Sequence, residues 1–149
     1  MPNYDDPVEE EKWCLECRAE AGRYLKAEGV VHGRVGEWPA WHVAPYVSIW
    51  AIESAARVEC VGWWVVCGDL PTDYVSATTI KHPRDAMHAL SKRWSEVADH
   101  MSRGAKHPTV SIGTSKDSPS LGPLLSLRAE ALAKWANDDS LWADEFYKR

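Results

Sequence analysis

The stretch whose reading decides the fold is GRVGEWPAWHVAPYVSIWAIE over residues 33–53, SAARVECV over 54–61 and GWWVVCGDLPTDY over 62–74. Five of the nine tryptophans lie in it, Trp38, Trp41, Trp50, Trp63 and Trp64. In an extended chain alternate residues share a face. Over His42–Glu53, the residues His42, Ala44, Tyr46, Ser48, Trp50 and Ile52 then point one way, and Val43, Pro45, Val47, Ile49, Ala51 and Glu53 the other. Val61–Asp69 repeats the pattern, with Trp63, Val65, Cys67 and Asp69 opposite Trp64 and Val66. Both faces of both segments are largely apolar, so the expected sheet is covered on both sides. Helices meet that need, and so does a homodimer whose contact includes the sheet. An antiparallel hairpin is the economical pairing.

Outward from these two strands the signals are punctuation. Gly33–Ala40, with Gly33, Gly36 and Pro39, reads as a loop. Pro45 has no ladder donor, which puts it on an edge, at a bulge or near a strand start. Asp69–Asp73 reads as a turn, because Asp and Thr side chains bond nearby amides and Pro71 fixes one φ angle. Tyr74–Ile80 has strand character. Val8–Lys26 reads as a helix on Trp13, Cys17, Ala21 and Tyr24, with acidic residues in its first turn. A second helix starts near Pro83 and runs on Met87, Leu90, Trp94, Val97 and Met101 to a stop at Gly104. Thr109–Gly113 reads as a short edge strand and Thr114–Pro119 as a polar loop. Pro123–Ala136 is a third helix, and Asp138–Ser140 caps a last piece bearing Leu141, Trp142 and Phe146. The fold class is α+β: an antiparallel sheet of three or four strands, an N-terminal helix, and two or three C-terminal helices.

A chain of 149 residues is one domain by the usual length prior, here with an acidic start over residues 1–7. The net charge of −5 and the absence of a basic run longer than two residues argue against nucleic acid, whose phosphates need a basic patch. The N-terminus lacks the basic start and apolar core of a signal peptide, and no apolar run approaches a membrane span. The expected compartment is the cytoplasm, with no membrane partner. Cys14, Cys17, Cys60 and Cys67 are then reduced thiols. Together they are formally a four-thiolate zinc set. However, the Cys60–Cys67 spacing does not suit a zinc knuckle, and Cys67 falls in a strand. The simpler reading is small buried apolar residues. No metal or other cofactor is expected.

Three motifs carry a resemblance: Gly36-Glu-Trp-Pro-Ala-Trp-His42, Gly62-Trp-Trp64, and Gly68-Asp-Leu-Pro-Thr-Asp-Tyr74. With Lys81-His-Pro-Arg-Asp85 they make the chain similar to the bacterial domain-of-unknown-function family 4826, over most of its length. The resemblance implies a small stand-alone protein. It carries over no activity and no catalytic residues, and Cys14, Cys17 and Cys60 are not part of its pattern.

Two classes of function follow from the residues. An enzyme, a hydrolase by type, starts from His42 with Asp69 or Asp73, since a histidine–carboxylate pair is the minimum for acid–base work. On one regular strand His42 and Glu53 face opposite ways, and the simpler role of Asp69 and Asp73 is turn hydrogen bonding. No nucleophile elbow, phosphate loop or dinucleotide fingerprint is present. A binding module needs less: an aromatic surface of Trp38, Trp41, Tyr46, Trp63 and Trp64, rimmed by Arg34, Glu37 and Asp73. The partner would be another protein, and the acidic charge favours a basic one, as for an adaptor or an immunity protein. A third reading is a small-ligand protein with a Trp-lined pocket. Against all three stands the plain role of tryptophan as core filler in a chain with one phenylalanine, Phe146.

Overall fold

A computed structural model describes residues 3–102 and 122–142. The chain divides into two compact units, Met1–Pro83 and Arg84–Arg149. The fold is α+β, with an antiparallel sheet between an N-terminal helix and two later helices in sequence. Helix α1 spans Pro7–Ala27; strands β1 to β5 span His32–Val35, Trp41–Val43, Val47–Ser54, Val61–Gly68 and Leu70–Ser76. Helices α2 and α3 span Pro83–Ser102 and Gly122–Asn137, followed by a single 3-10 turn at Asp139–Trp142. The expected strand at Thr109–Gly113, the Thr114–Pro119 loop and Phe146 lie outside the described residues.

In the first unit the sheet order is β1-β3-β4-β5, with β2 also paired to β3. The β3–β4 hairpin is the one expected, and its register sets Ser48 opposite Cys67, Trp50 opposite Val65 and Ile52 opposite Trp63. These side chains share the face that packs on α1, where Cys14, Cys17, Ala21 and Leu25 complete the core. α1 begins where Asp6 caps it, accepting a hydrogen bond from the Val8 amide at 2.9 Å, with Pro7 in the first turn. The opposite face carries Val47, Ile49, Trp64, Val66 and Val75, all buried. Both faces are therefore buried, as the double apolar pattern requires.

Three local expectations are corrected. His42–Glu53 is not one strand: the chain turns back at Ala44–Tyr46, and β2 pairs with β3. The Tyr46 amide closes the turn on the Val43 carbonyl at 2.8 Å, and Pro45, lacking an N–H, sits where no ladder bond is needed. Part of the expected Gly33–Ala40 loop is β1. Gly33 is there for close approach, since a Cβ would lie 2.9 Å from the Glu53 carboxylate on β3. Finally, Asp69–Asp73 is not a turn followed by a strand. The reversal is made at Gly68, whose φ of +144° suits glycine and whose Cβ would meet the Tyr46 carbonyl at 2.6 Å. β5 starts at once, at Leu70, and Pro71 is tolerated because β5 ends the sheet order.

In the second unit α2 buries Met87, Leu90, Trp94, Val97 and Met101, the stripe read from the sequence. Ser91 donates to the Ala129 carbonyl of α3 at 2.8 Å, and Arg84 donates to the Ala136 carbonyl at 2.6 Å. Trp142 is buried, with its indole N–H on the Trp135 carbonyl at 2.9 Å.

Candidate functional site

The most developed polar and aromatic cluster in the first unit forms around His42. Its register partner on β3 is Ser48, so the imidazole lies on the α1 face. There Nε2 meets the Glu10 Oε2 at 3.0 Å. The ring stacks beside Trp13 at 6.4 Å between centroids, and Trp38 stands edge-on to it at 5.4 Å and 86°. Helical spacing explains the α1 side of the site: Glu10 and Trp13 are three residues apart and share a face of α1. The loop that brings in Trp38 is anchored by Arg18, which donates from Nε to the Gly36 carbonyl and from its terminal nitrogen to the Val35 carbonyl, both at 2.9 Å. The Gly36 amide and the Ala40 amide tie the same loop to β3 through the carbonyls of Ala51 and Ile49. The loop is thus tied on both sides of Trp38, and the Trp38 ring, in edge contact with His42, is still 48% exposed, the single exposed tryptophan of the nine.

The aromatic residues read from the sequence separate by burial. Trp41 and Trp64 are 6% and 5% exposed, because register places them on the face away from α1. Trp63 is half-buried, edge-on to Tyr74 at 5.7 Å. Tyr46, at the β2–β3 turn, is 53% exposed. The exposed aromatics of the set are thus Trp38 and Tyr46. Of the polar rim, Arg34 is exposed and loosely paired with Glu53 at 3.9 Å. Glu37 is exposed, whereas Asp73 is buried. Arg34 and Glu37 share with Arg18, Glu53 and Glu59 the walls of a polar cavity of about 290 Å³.

The acid–base candidates do not converge. Asp73 pairs with Val66 on the face opposite His42, and its carboxylate accepts the Tyr74 amide at 2.8 Å. Asp69 is exposed at the β4–β5 reversal. The histidine's carboxylate partner is Glu10, which a reading confined to residues 33–74 missed. The available signal was Glu10 and Trp13 lying on one helix face with the apolar stripe of α1.

The thiols also divide. Cys14, Cys17 and Cys67 are buried together between α1 and β4, and Cys60 is exposed at the other end of β4, roughly 23 Å of strand away. Among the described residues no three His, Cys, Asp or Glu side chains are grouped to hold a metal ion. Burial, with the neighbouring Cys17 and Glu10 adding to it, pushes the Cys14 thiol up to about 12. The interaction between Cys17 and Cys67 holds Cys17 below its ordinary value and drives Cys67 well above it. Cys67 donates to the Cys17 carbonyl at 3.3 Å. It also lies 3.5 Å from the Ser48 hydroxyl, which donates to the Cys67 carbonyl and receives the Trp50 indole N–H, both at 2.9 Å.

Comparison with known proteins places this chain in a family. The family described as a domain of unknown function (DUF4826) matches residues 8–142, from the first turn of α1 to Trp142. The chain belongs to that family. No curated protein and no solved structure shows a significant similarity to it. The matched span includes Glu10, Trp13, Trp38 and His42. Among the described residues no helix is long and apolar enough to cross a membrane.

Proposed function

We propose that this protein is a cytoplasmic protein-binding module of adaptor or immunity type that engages a basic partner through Trp38. The observation that carries the reading is the exposed Trp38 ring standing on a His42–Glu10 pair. A large aromatic that is exposed and already ordered binds with little further loss of conformational freedom, which is what distinguishes an interface anchor from a mobile surface side chain. Its surroundings are acidic. Glu37 is its neighbour in sequence, Glu10 pairs with the histidine beneath it, and Glu9 and Glu11 flank Glu10 near the start of α1. Such a field speeds encounter with a basic surface and disfavours nucleic acid.

The test is a tagged pull-down from lysate of the native host, read by mass spectrometry, with Trp38→Ala and Arg23→Ala as paired controls. The expected result is one dominant basic partner, lost at raised salt and with Trp38→Ala but kept with Arg23→Ala, since Arg23 is exposed farther along α1. Capture of the untagged protein itself, again through Trp38, would make the module a homodimer. A partner retained by Trp38→Ala, or no partner at all, would defeat the reading.

A further inference from the structure

At the other end of β3 from His42, Trp63 and Trp64 both border a cavity of about 720 Å³. Small-molecule sites run from roughly 300 to 1,000 Å³. Consecutive strand residues point to opposite faces, so Trp63 presents its half-buried ring on the α1 face while Trp64, 5% exposed, turns its ring to the other face. The two rings are fixed in different ways. Trp64 spends its indole N–H on the Ile80 carbonyl at 2.8 Å, and Trp63 is edged by Tyr74. The half-buried Trp63 ring therefore offers the cavity apolar surface, and Trp64 is held in the wall by its bond to Ile80. Gly62 lets β4 close on β3 here, because a Cβ would meet the Ser54 Cα at 2.8 Å.

The charge of the walls is one-sided. Arg57 and Lys81 line the cavity and, among the described residues, no Asp or Glu does, in a chain whose net charge is −5. Glu53 and Glu59 line the neighbouring polar cavity instead. The loop bearing Arg57 is folded by its own bonds: Ser54 Oγ accepts the amides of Ala56 and Arg57, and the Cys60 amide returns to the Arg57 carbonyl. The Arg57 guanidinium itself makes no ion pair or hydrogen bond with a described residue. Lys81 donates one proton to the Ala77 carbonyl at 2.9 Å and keeps two for a ligand.

We propose that this cavity binds a small organic monoanion with a flat apolar body, an aromatic carboxylate or sulfonate. Its ring lies against Trp63 and its charge between Arg57 and Lys81. Stacking supplies sequence-independent affinity for a flat body, and the two cations select the charged form over its neutral analogue.

Two naphthalene probes test this on the full chain: 8-anilinonaphthalene-1-sulfonate and its uncharged counterpart N-phenyl-1-naphthylamine. Cys60 lines the same cavity and is exposed, whereas the other three thiols are buried, so its alkylation by N-ethylmaleimide reports occupancy. The sulfonate is expected to bind one to one and to slow Cys60 alkylation as it saturates. Arg57→Gln and Lys81→Gln should each weaken it about tenfold, the size of one charge-assisted hydrogen bond, while Arg23→Gln leaves it unchanged. Arg57→Gln keeps its fold because only the backbone of Arg57 is engaged. The proposal fails if no probe binds, if the uncharged probe binds as well as the sulfonate, if Arg57→Gln has no effect, or if saturating sulfonate leaves Cys60 alkylation unslowed.

Discussion

His42 and Glu10 are 32 positions apart in sequence and 3.0 Å apart in space. That contact ties the short strand β2 to the first turns of α1 and sets the floor on which Trp38 stands. Glu10 is 37% exposed, so water screens the pair and its worth to stability is under about 1 kcal/mol. Glu10→Gln should therefore leave the melting temperature nearly unchanged while loosening Trp38. Acrylamide quenching of tryptophan emission is the readout, and a steeper quenching slope than wild type is expected.

Trp38 and Trp41, three residues apart, should differ sharply in what their truncation costs. Trp41→Ala removes a ring that is 6% exposed and should cost about 3–5 kcal/mol in urea unfolding. Trp38→Ala removes a half-exposed ring and should cost about 1 kcal/mol or less. A pull-down control at Trp41 would confuse unfolding with loss of a surface, which is why Trp38 alone is the clean probe.

Ser48 is the junction of a buried chain that runs from the Trp50 indole through its hydroxyl to the Cys67 carbonyl. Ser48→Ala orphans the indole N–H of a fully buried ring and should destabilise by about 1–3 kcal/mol. In a Trp50→Phe background no donor is left to orphan, so the same Ser48→Ala change should cost distinctly less. Equal costs in the two backgrounds would refute the network.

Glu59 holds φ of +68°, a left-handed conformation that costs a residue with a Cβ about 1–2 kcal/mol. Glu59→Gly relieves that cost and returns part of it as chain entropy. The net expectation is a gain of about 0.5–1 kcal/mol, seen as a melting temperature a few degrees higher.

The buried thiols predict an alkaline limit. Cys14, raised from an ordinary 9.0 to about 12, keeps its proton in the folded chain where the unfolded chain would lose it. A raised folded pKa contributes stability that is full below the unfolded value and lost as pH rises through the folded one. Urea stability should thus decline between pH 9 and 12, and Cys14→Ala should flatten that decline. At pH 8 the native protein should take up one equivalent of N-ethylmaleimide, at Cys60.

The helices were legible almost to the residue. Val8–Lys26 became Pro7–Ala27 and Pro123–Ala136 became Gly122–Asn137, because caps, proline and the 3.6-residue stripe are local signals. The β3–β4 hairpin was legible for the same kind of reason, a period of two on both faces. The turn at Ala44–Tyr46 was not. His42 and Val43 continue the alternation of Val47–Ser54 without a break, so a hairpin and a single long strand have the same pattern. Gly33 and Pro71 looked like loop punctuation, although one serves a close strand contact and the other sits in the terminal strand of the sheet order.

The sequence by itself determined the α+β class, the three helices, the central hairpin and the need to cover both sheet faces. Each of these depends on residues close together in the chain. Which tryptophans reach the surface, and which carboxylate meets His42, was decided only by the tertiary structure. Exposure depends on what distant residues leave uncovered, and the Glu10–His42 pair exists only because α1 packs across a sheet whose register turns His42 toward it.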